Sequence, residues 1–207
     1  MDREREGYMR RIVMFNHVTA DGYFAGQDGN LDWVMSDEEA DRESVRQFPD
    51  FDTVMLGRKT YDMFAAYWPK ALDNPGGAAD PHGSRKPTPE IHAIAVWLNA
   101  AAKLVFSKTL KSPTWNNTRI LREFDAGAVA DLKRQPGKHM MVFGSASIVS
   151  KLTEHGLIDE YRFLVSPLIL GKGRKLLDDA SAKMRLRLLE AAAHRSGHVM
   201  LRHARAA

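Results

Sequence analysis

The chain has 207 residues, 44% of them hydrophobic and 27% charged, with a formal net charge of +4. That length suits one domain with a substantial core, the balance is globular rather than disordered, and no apolar run approaches the roughly 18 residues of a membrane-spanning helix. With no cysteine, disulfides, thiolate metal sites and cysteine nucleophiles are excluded.

The excess charge sits at the ends. Residues 1–11 hold four Arg against three acids and residues 194–207 hold three Arg and no acid, while the stretch between balances 23 basic residues against 23 acidic. A basic stripe for nucleic acid is therefore not expected. The charged N-terminus lacks the apolar segment of a secretory signal, so a cytoplasmic location without membrane attachment is the expectation.

After a polar tail over residues 1–9, Arg11–Val18 reads as a first strand, apolar, β-branched and too short for a stable helix. Thr19-Ala20-Asp21-Gly22 breaks it with an Asp-Gly turn. Ser36 is the expected N-cap of the next helix, with Glu39 as its capping-box partner and Pro49 as its stop. Phe51–Leu56 forms a second strand, which Gly57-Arg58-Lys59-Thr60 turns into a helix carrying Tyr61, Phe64 and Ala65. Residues 69–89 hold five prolines and three glycines and predict a long surface loop.

A short helix at 90–99 and strands at 103–107 and 118–122 follow. Then come a helix at 126–134, a strand at 139–143, a helix at 146–155 ending at Gly156, and a strand at 158–166. This rhythm predicts an α/β fold with a mostly parallel sheet covered on both faces. Residues 185–190 and 198–202, flanking Ser196-Gly197, read as a C-terminal antiparallel hairpin. His194, His198 and His203 fall in it and are expected as solvated surface residues, with no metal site.

Strands that hand over to helices put glycine turns and helix N-termini at one sheet edge, where backbone N–H groups and the helix dipole favour phosphate. Leu56-Gly57-Arg58-Lys59-Thr60 is one such junction and Phe143-Gly144-Ser145-Ala146 a second. Val105-Phe106-Ser107-Lys108-Thr109 adds a third polar, basic strand end. Each alone also reads as an ordinary capped turn; three in one α/β domain suggest a dinucleotide with an extra phosphate.

The joint order of these motifs, with Thr19–Gly26, Gly156–Glu160 and Pro167–Gly173, resembles the dihydrofolate-reductase-like superfamily. The likeness is greatest to the C-terminal reductase domain of the bifunctional riboflavin-biosynthesis deaminase/reductase and its stand-alone relatives. It implies one such domain over residues 10–203, followed by a tail of 204–207, with NADPH as cofactor and a homodimer as the assembly. Carried over residue by residue, it implies that Arg58, Lys59, Thr60, Ser107 and Lys108 embrace the 2′-phosphate beside Gly57, and that Gly144, Ser145 and Ala146 receive the pyrophosphate. Proteins of this kind often have Gly-Gly where this chain has Gly144-Ser145, so Ser145 is a departure. Thr19, Asp21 and Gly22 are implied beside the nicotinamide. Asp21 and Asp37 are the candidate catalytic carboxylates, although each also has a plain role, in a turn and a helix cap respectively. The implied activity is hydride transfer to a small heteroaromatic substrate, pterin- or aminopyrimidine-like. A true dihydrofolate reductase and a binding protein that has lost catalysis are the alternatives.

Overall fold

A computed structural model describes residues 9–73, 88–177 and 183–206. Its strands are β1 (Ile12–Thr19), β2 (Phe51–Gly57), β3 (Ala102–Phe106), β4 (Thr118–Leu121), β5 (His139–Phe143), β6 (Glu160–Ser166), β7 (Leu186–Ala193) and β8 (Val199–Arg205). They form one sheet in the order β4-β3-β2-β5-β1-β6-β8-β7. The run from β4 to β6 is parallel, and β8 and β7 are antiparallel. The helices are α1 (Glu38–Gln47), α2 (Arg58–Asp73), α3 (Pro89–Ala100), α4 (Ala126–Arg134) and α5 (Ala146–Glu154).

Strand side chains alternate between faces, and two cores result. Val13, Val54, Leu56 and Met141 join α2 and α3 in one, while Ile12, Met14, Met55, Met140 and Val142 join α4 and α5 in the other. A sheet buried on both sides needs apolar residues at consecutive positions, as Val54-Met55-Leu56 and Met140-Met141-Val142 supply.

Four expectations are corrected. Asp37, not Ser36, caps α1: its Oδ1 accepts from the backbone N–H groups of Glu39 and Ala40, each at 2.9 Å. Helix α2 runs on past Pro69 to Asp73, so the expected loop starts later. Burial of Tyr67, Trp68 and Ala71 on either side offsets the hydrogen bond that proline removes. Residues 74–87 of that loop and residues 1–8 of the N-terminal tail lie outside the described residues. Strand β8 continues to Arg205, into the stretch read as a tail, because Glu160 and Leu186 pair there with Ala204 and Arg205. Finally, His194 and His198 are not solvated surface groups; the hairpin turn folds both inward, leaving His198 fully buried.

The antiparallel strands also bury a charge cluster. Glu160, fully buried in β6, accepts through Oε1 from Arg162 and Arg202 and through Oε2 from Arg11, all at 2.7 Å. Burial opposes ionisation of this carboxyl, yet the arginines prevail and hold it at about 2.

Candidate nucleotide and substrate site

The sheet order sets β3, β2 and β5 side by side, with Gly57 opposite Phe106 across β2 and β3. The three polar strand ends therefore line one edge as neighbours. Arg58 and Lys59 open α2, and Arg58 Nε bonds Asp62 Oδ2 one turn on at 2.6 Å. Ser107, buried, accepts from the N–H groups of Thr109 and Leu110 and shapes the turn after β3. Lys108 is exposed, with Glu123 at 3.5 Å.

The β2 and β5 turns interlock. The Gly57 N–H donates to Ser145 Oγ at 2.8 Å, and the Ser145 N–H donates to Thr60 Oγ1 at 3.1 Å. Gly144 and Ser145 both take left-handed backbone, φ 53° and 58°. At Gly144 a Cβ would lie 2.9 Å from Thr60 Oγ1, so a side chain is excluded twice over. Ser145 bears the strain of a Cβ in this region and in return pins β2 to β5. With Thr60 and the Ser145 amide joined to each other, the first turns of α2 and α5 carry the remaining donors for an anion.

Ser145→Ala is expected to lower stability by about 1–3 kcal/mol, since it leaves the buried Gly57 N–H unpaired and keeps the strain. Ser145→Gly should lose less, because relief of about 1 kcal/mol of strain offsets part of the lost bond. Urea unfolding of the two variants checks that order, and equal losses would contradict it.

Beside these turns opens a pocket between the sheet and α1–α3, with about 850 Å³ of open space including its mouth. Phe15, Asn16, His17, Phe143 and Leu164 form its floor; Phe64 and Trp68 of α2 and Leu98 of α3 stand on one side. The inward stripe of α1, Asp37, Ala40, Asp41, Ser44 and then Phe48, stands on the other. These positions follow helical spacing, a pattern present in the sequence but masked there by an acidic, mostly polar helix.

Asp37 is held through both of its carboxylate oxygens. Its Oδ1 caps α1, and its Oδ2 accepts from Ser196 Oγ at 2.8 Å and lies 2.7 Å from His194 Nδ1. Behind it His198 Nδ1 lies 2.9 Å from Ser196 Oγ, and burial pushes His198 below the usual histidine range, toward its neutral form. Burial works against the charge on Asp37, but bonds from Ala40, His194 and Ser196 outweigh it and keep the carboxyl below the usual carboxylate range. The sequence holds no local sign of these partners, which lie 157 and 159 residues away.

Asp21 sits elsewhere. Its Oδ1 accepts from Thr19 Oγ1 at 2.6 Å and from the Leu170 N–H at 3.1 Å, and its Oδ2 accepts from the Gly171 N–H at 2.7 Å. These bonds, that from Thr19 foremost, lower its pKa. Thr19, Asp21 and Gly22 thus tie the end of β1 to the turn after β6, and none of the three is among the described residues lining the pocket. Among the described residues no group of three or more His, Asp or Glu is arranged to hold a metal ion, and no helix is long and apolar enough to cross a membrane.

The family described as the RibD C-terminal domain matches residues 10–200. The chain belongs to that family. The Bacillus subtilis (strain 168) protein YyaP, described as uncharacterized, is 30% identical over 93% of each chain. A Shewanella sp. PV-4 protein assigned by name to riboflavin biosynthesis shares the fold at TM-score 0.68 and 18% identity, over 95% of this chain and 99% of its own. The Thermotoga maritima diaminohydroxyphosphoribosylaminopyrimidine deaminase/5-amino-6-(5-phosphoribosylamino)uracil reductase does so at TM-score 0.63 and 13% identity, over 96% of this chain but 57% of its own. The expected dihydrofolate-reductase-like architecture, parallel sheet and C-terminal hairpin included, agrees with these likenesses.

Proposed function

We propose that this RibD C-terminal domain protein is an NADPH-dependent reductase acting on a small ring substrate. The observation that carries the reading is the row of three polar strand ends on β3, β2 and β5, set directly against an apolar pocket with one buried carboxylate. Their donor set suits the cofactor: Arg58, Lys59, Ser107 and Lys108 offer the cations and hydroxyl that a 2′-phosphate needs. The first turns of α2 and α5, including Ala146, offer N–H groups to the pyrophosphate. When bound, the nicotinamide would supply the hydride. The protein's own part is to hold the ring flat against the floor of the pocket, exclude water with its aromatic walls, and keep Asp37 charged beside it. A carboxylate there favours the protonated ring, which accepts hydride more readily. Asp21 serves by fixing the turn at the end of β1, and Asp21→Asn should lower thermal stability while sparing turnover per folded molecule.

Titration by cofactor fluorescence is expected to show tighter binding of NADPH than of NADH. Arg58→Ala should weaken NADPH by about 1.5–3 kcal/mol, the range of a charged hydrogen bond, and leave NADH nearly unchanged. Equal affinity for the two cofactors would remove the phosphate assignments. Cofactor binding without oxidation across a broad set of ring compounds would favour a binding protein that has lost catalysis.

The assembly we propose is a homodimer. Strand β7 is exposed along the sheet edge with Leu186, Leu188 and Leu189 in solvent, and an apolar edge strand of this kind is commonly covered by a partner. Light scattering should give twice the 23.3 kDa of one chain; the mass of one chain would contradict it.

A further inference from the structure

The floor of the pocket coincides with a break in the sheet. Strands β1 and β5 are neighbours, but their chains leave for opposite faces. Helix α1, after β1, stands with α2 and α3 around the pocket, whereas α5, after β5, packs in the other core through Ile148, Val149 and Leu152. In an open parallel sheet such a reversal opens a crevice at the carboxyl ends of the two strands, the usual seat of a ligand. Pairing of the two strands ends at Phe15 and Phe143. Gly144 then turns β5 away in left-handed backbone, while β1 runs on to Thr19 against β6.

Asn16 is the first residue of β1 past that last pair. Alternation along the strand turns its side chain away from the face of Phe15 and His17 and toward that of Ile12 and Met14, which α4 and α5 cover. Its Nδ2 donates to Met14 Sδ at 3.0 Å and to the Gly144 carbonyl at 3.4 Å, so the amide spans the gap between the strands. The residue is 4% exposed. Its Oδ1 accepts no hydrogen bond among the described residues, yet it is not one of the buried polar atoms sealed from solvent. A nearly buried amide is costly unless both of its ends are satisfied. This one presents an acceptor at the opening.

We infer that Asn16 is a cofactor-binding residue, whose Oδ1 accepts a hydrogen bond from the carboxamide NH2 of a nicotinamide seated in the crevice between β1 and β5. A dinucleotide held by its pyrophosphate at the first turn of α5 reaches the pocket across the adjoining ends of β5 and β1, where Gly144 and Asn16 stand. One fixed partner for the carboxamide settles the rotation of the ring, and hence the face that it offers to a substrate. The assignment rests on the cofactor reading above and adds to it the group that orients the reacting ring.

Calorimetry on the full chain tests it without turnover, using NADP+ and two analogues altered only at the carboxamide. In 3-acetylpyridine adenine dinucleotide phosphate a methyl group replaces the NH2; in the thionicotinamide analogue sulfur replaces the oxygen and the NH2 remains. The acetylpyridine analogue should bind about fivefold more weakly than NADP+, the net worth of one neutral hydrogen bond, and the thionicotinamide analogue within about twofold of NADP+. In Asn16→Leu and Asn16→Ala that discrimination should vanish, with NADP+ falling to the level of the acetylpyridine analogue. Adenosine 2′,5′-bisphosphate, which lacks the nicotinamide, should bind wild type and variants alike; this identifies the folded variants, and either one suffices. Equal binding of NADP+ and the acetylpyridine analogue by wild type, or discrimination that survives in a folded variant, would overturn the assignment and leave the cofactor reading intact. Equal weakening of both analogues would place recognition on the carboxamide oxygen and overturn it too. Wild type that binds neither NADP+ nor the bisphosphate would defeat the cofactor reading, and this assignment with it.

Discussion

Glu160→Ala is expected to lower stability by about 3–5 kcal/mol, the usual consequence of removing one partner from a buried ion cluster. In a chain of this size that corresponds to a fall in melting temperature of about 10 °C or more. The loss falls chiefly on Arg162, which is itself buried; Arg202 retains Glu190 at 2.7 Å, and Arg11 reaches solvent. The pH dependence follows from the depressed acidity of Glu160. Its carboxyl titrates near 4.5 when free and at about 2 in the fold, so the folded state binds its proton more weakly than the unfolded chain. The stabilisation, about 3 kcal/mol from the shift, is fully present above pH 4.5 and drains away as the pH falls toward 2. Denaturant melts between pH 7 and pH 2 should show that limb in the wild type and a flatter one in Glu160→Ala. Parallel limbs would place the acid sensitivity elsewhere.

Asp37→Ala is expected to cost about 2–4 kcal/mol, combining loss of the α1 cap with buried donors left facing nothing. Asp37→Asn should cost less. Its side-chain oxygen can still cap α1, while His194 can change tautomer and the Ser196 hydroxyl can rotate to accept from the new amide. In turnover the two variants should agree. If Asp37 acts by its charge on the ring, each loses about 10²-fold in single-turnover NADPH oxidation, the lower end of what a positioned acid–base group contributes, with NADPH affinity unchanged. Activity of Asp37→Asn should also decline more steeply at high pH, where solvent protons are scarce. Because the folded pKa of Asp37 lies below its ordinary value, its share of stability is present at neutral pH and lost only on strong acidification. Full turnover in Asp37→Asn would reduce Asp37 to a helix cap and send the search for the charge to Asp41.

The strands, most helix limits, the glycine turns and the C-terminal hairpin were legible in the sequence. Each rests on side-chain periodicity or on the backbone freedom of single residues, both local properties. The basic and hydroxyl residues at the three strand ends were legible for the same reason, since they stand next to the glycines that mark those ends. What joins them was not. Strand β5 inserts between β1 and β2, a choice made by sheet pairing across the chain, and that insertion alone brings Ser145 against Gly57 and Thr60. Pro69 within α2 is another case, because a local helix breaker yielded to the burial of Trp68 and Ala71 on either side. The turn of the hairpin delivers His194 and Ser196 to Asp37, so histidines that look solvated become partners of a buried carboxylate. Local chemistry, in short range along the chain, set which residues could bind or cap. Long-range packing decided which of them meet, because burial and hydrogen-bond satisfaction are properties of the assembled layers and not of any one segment.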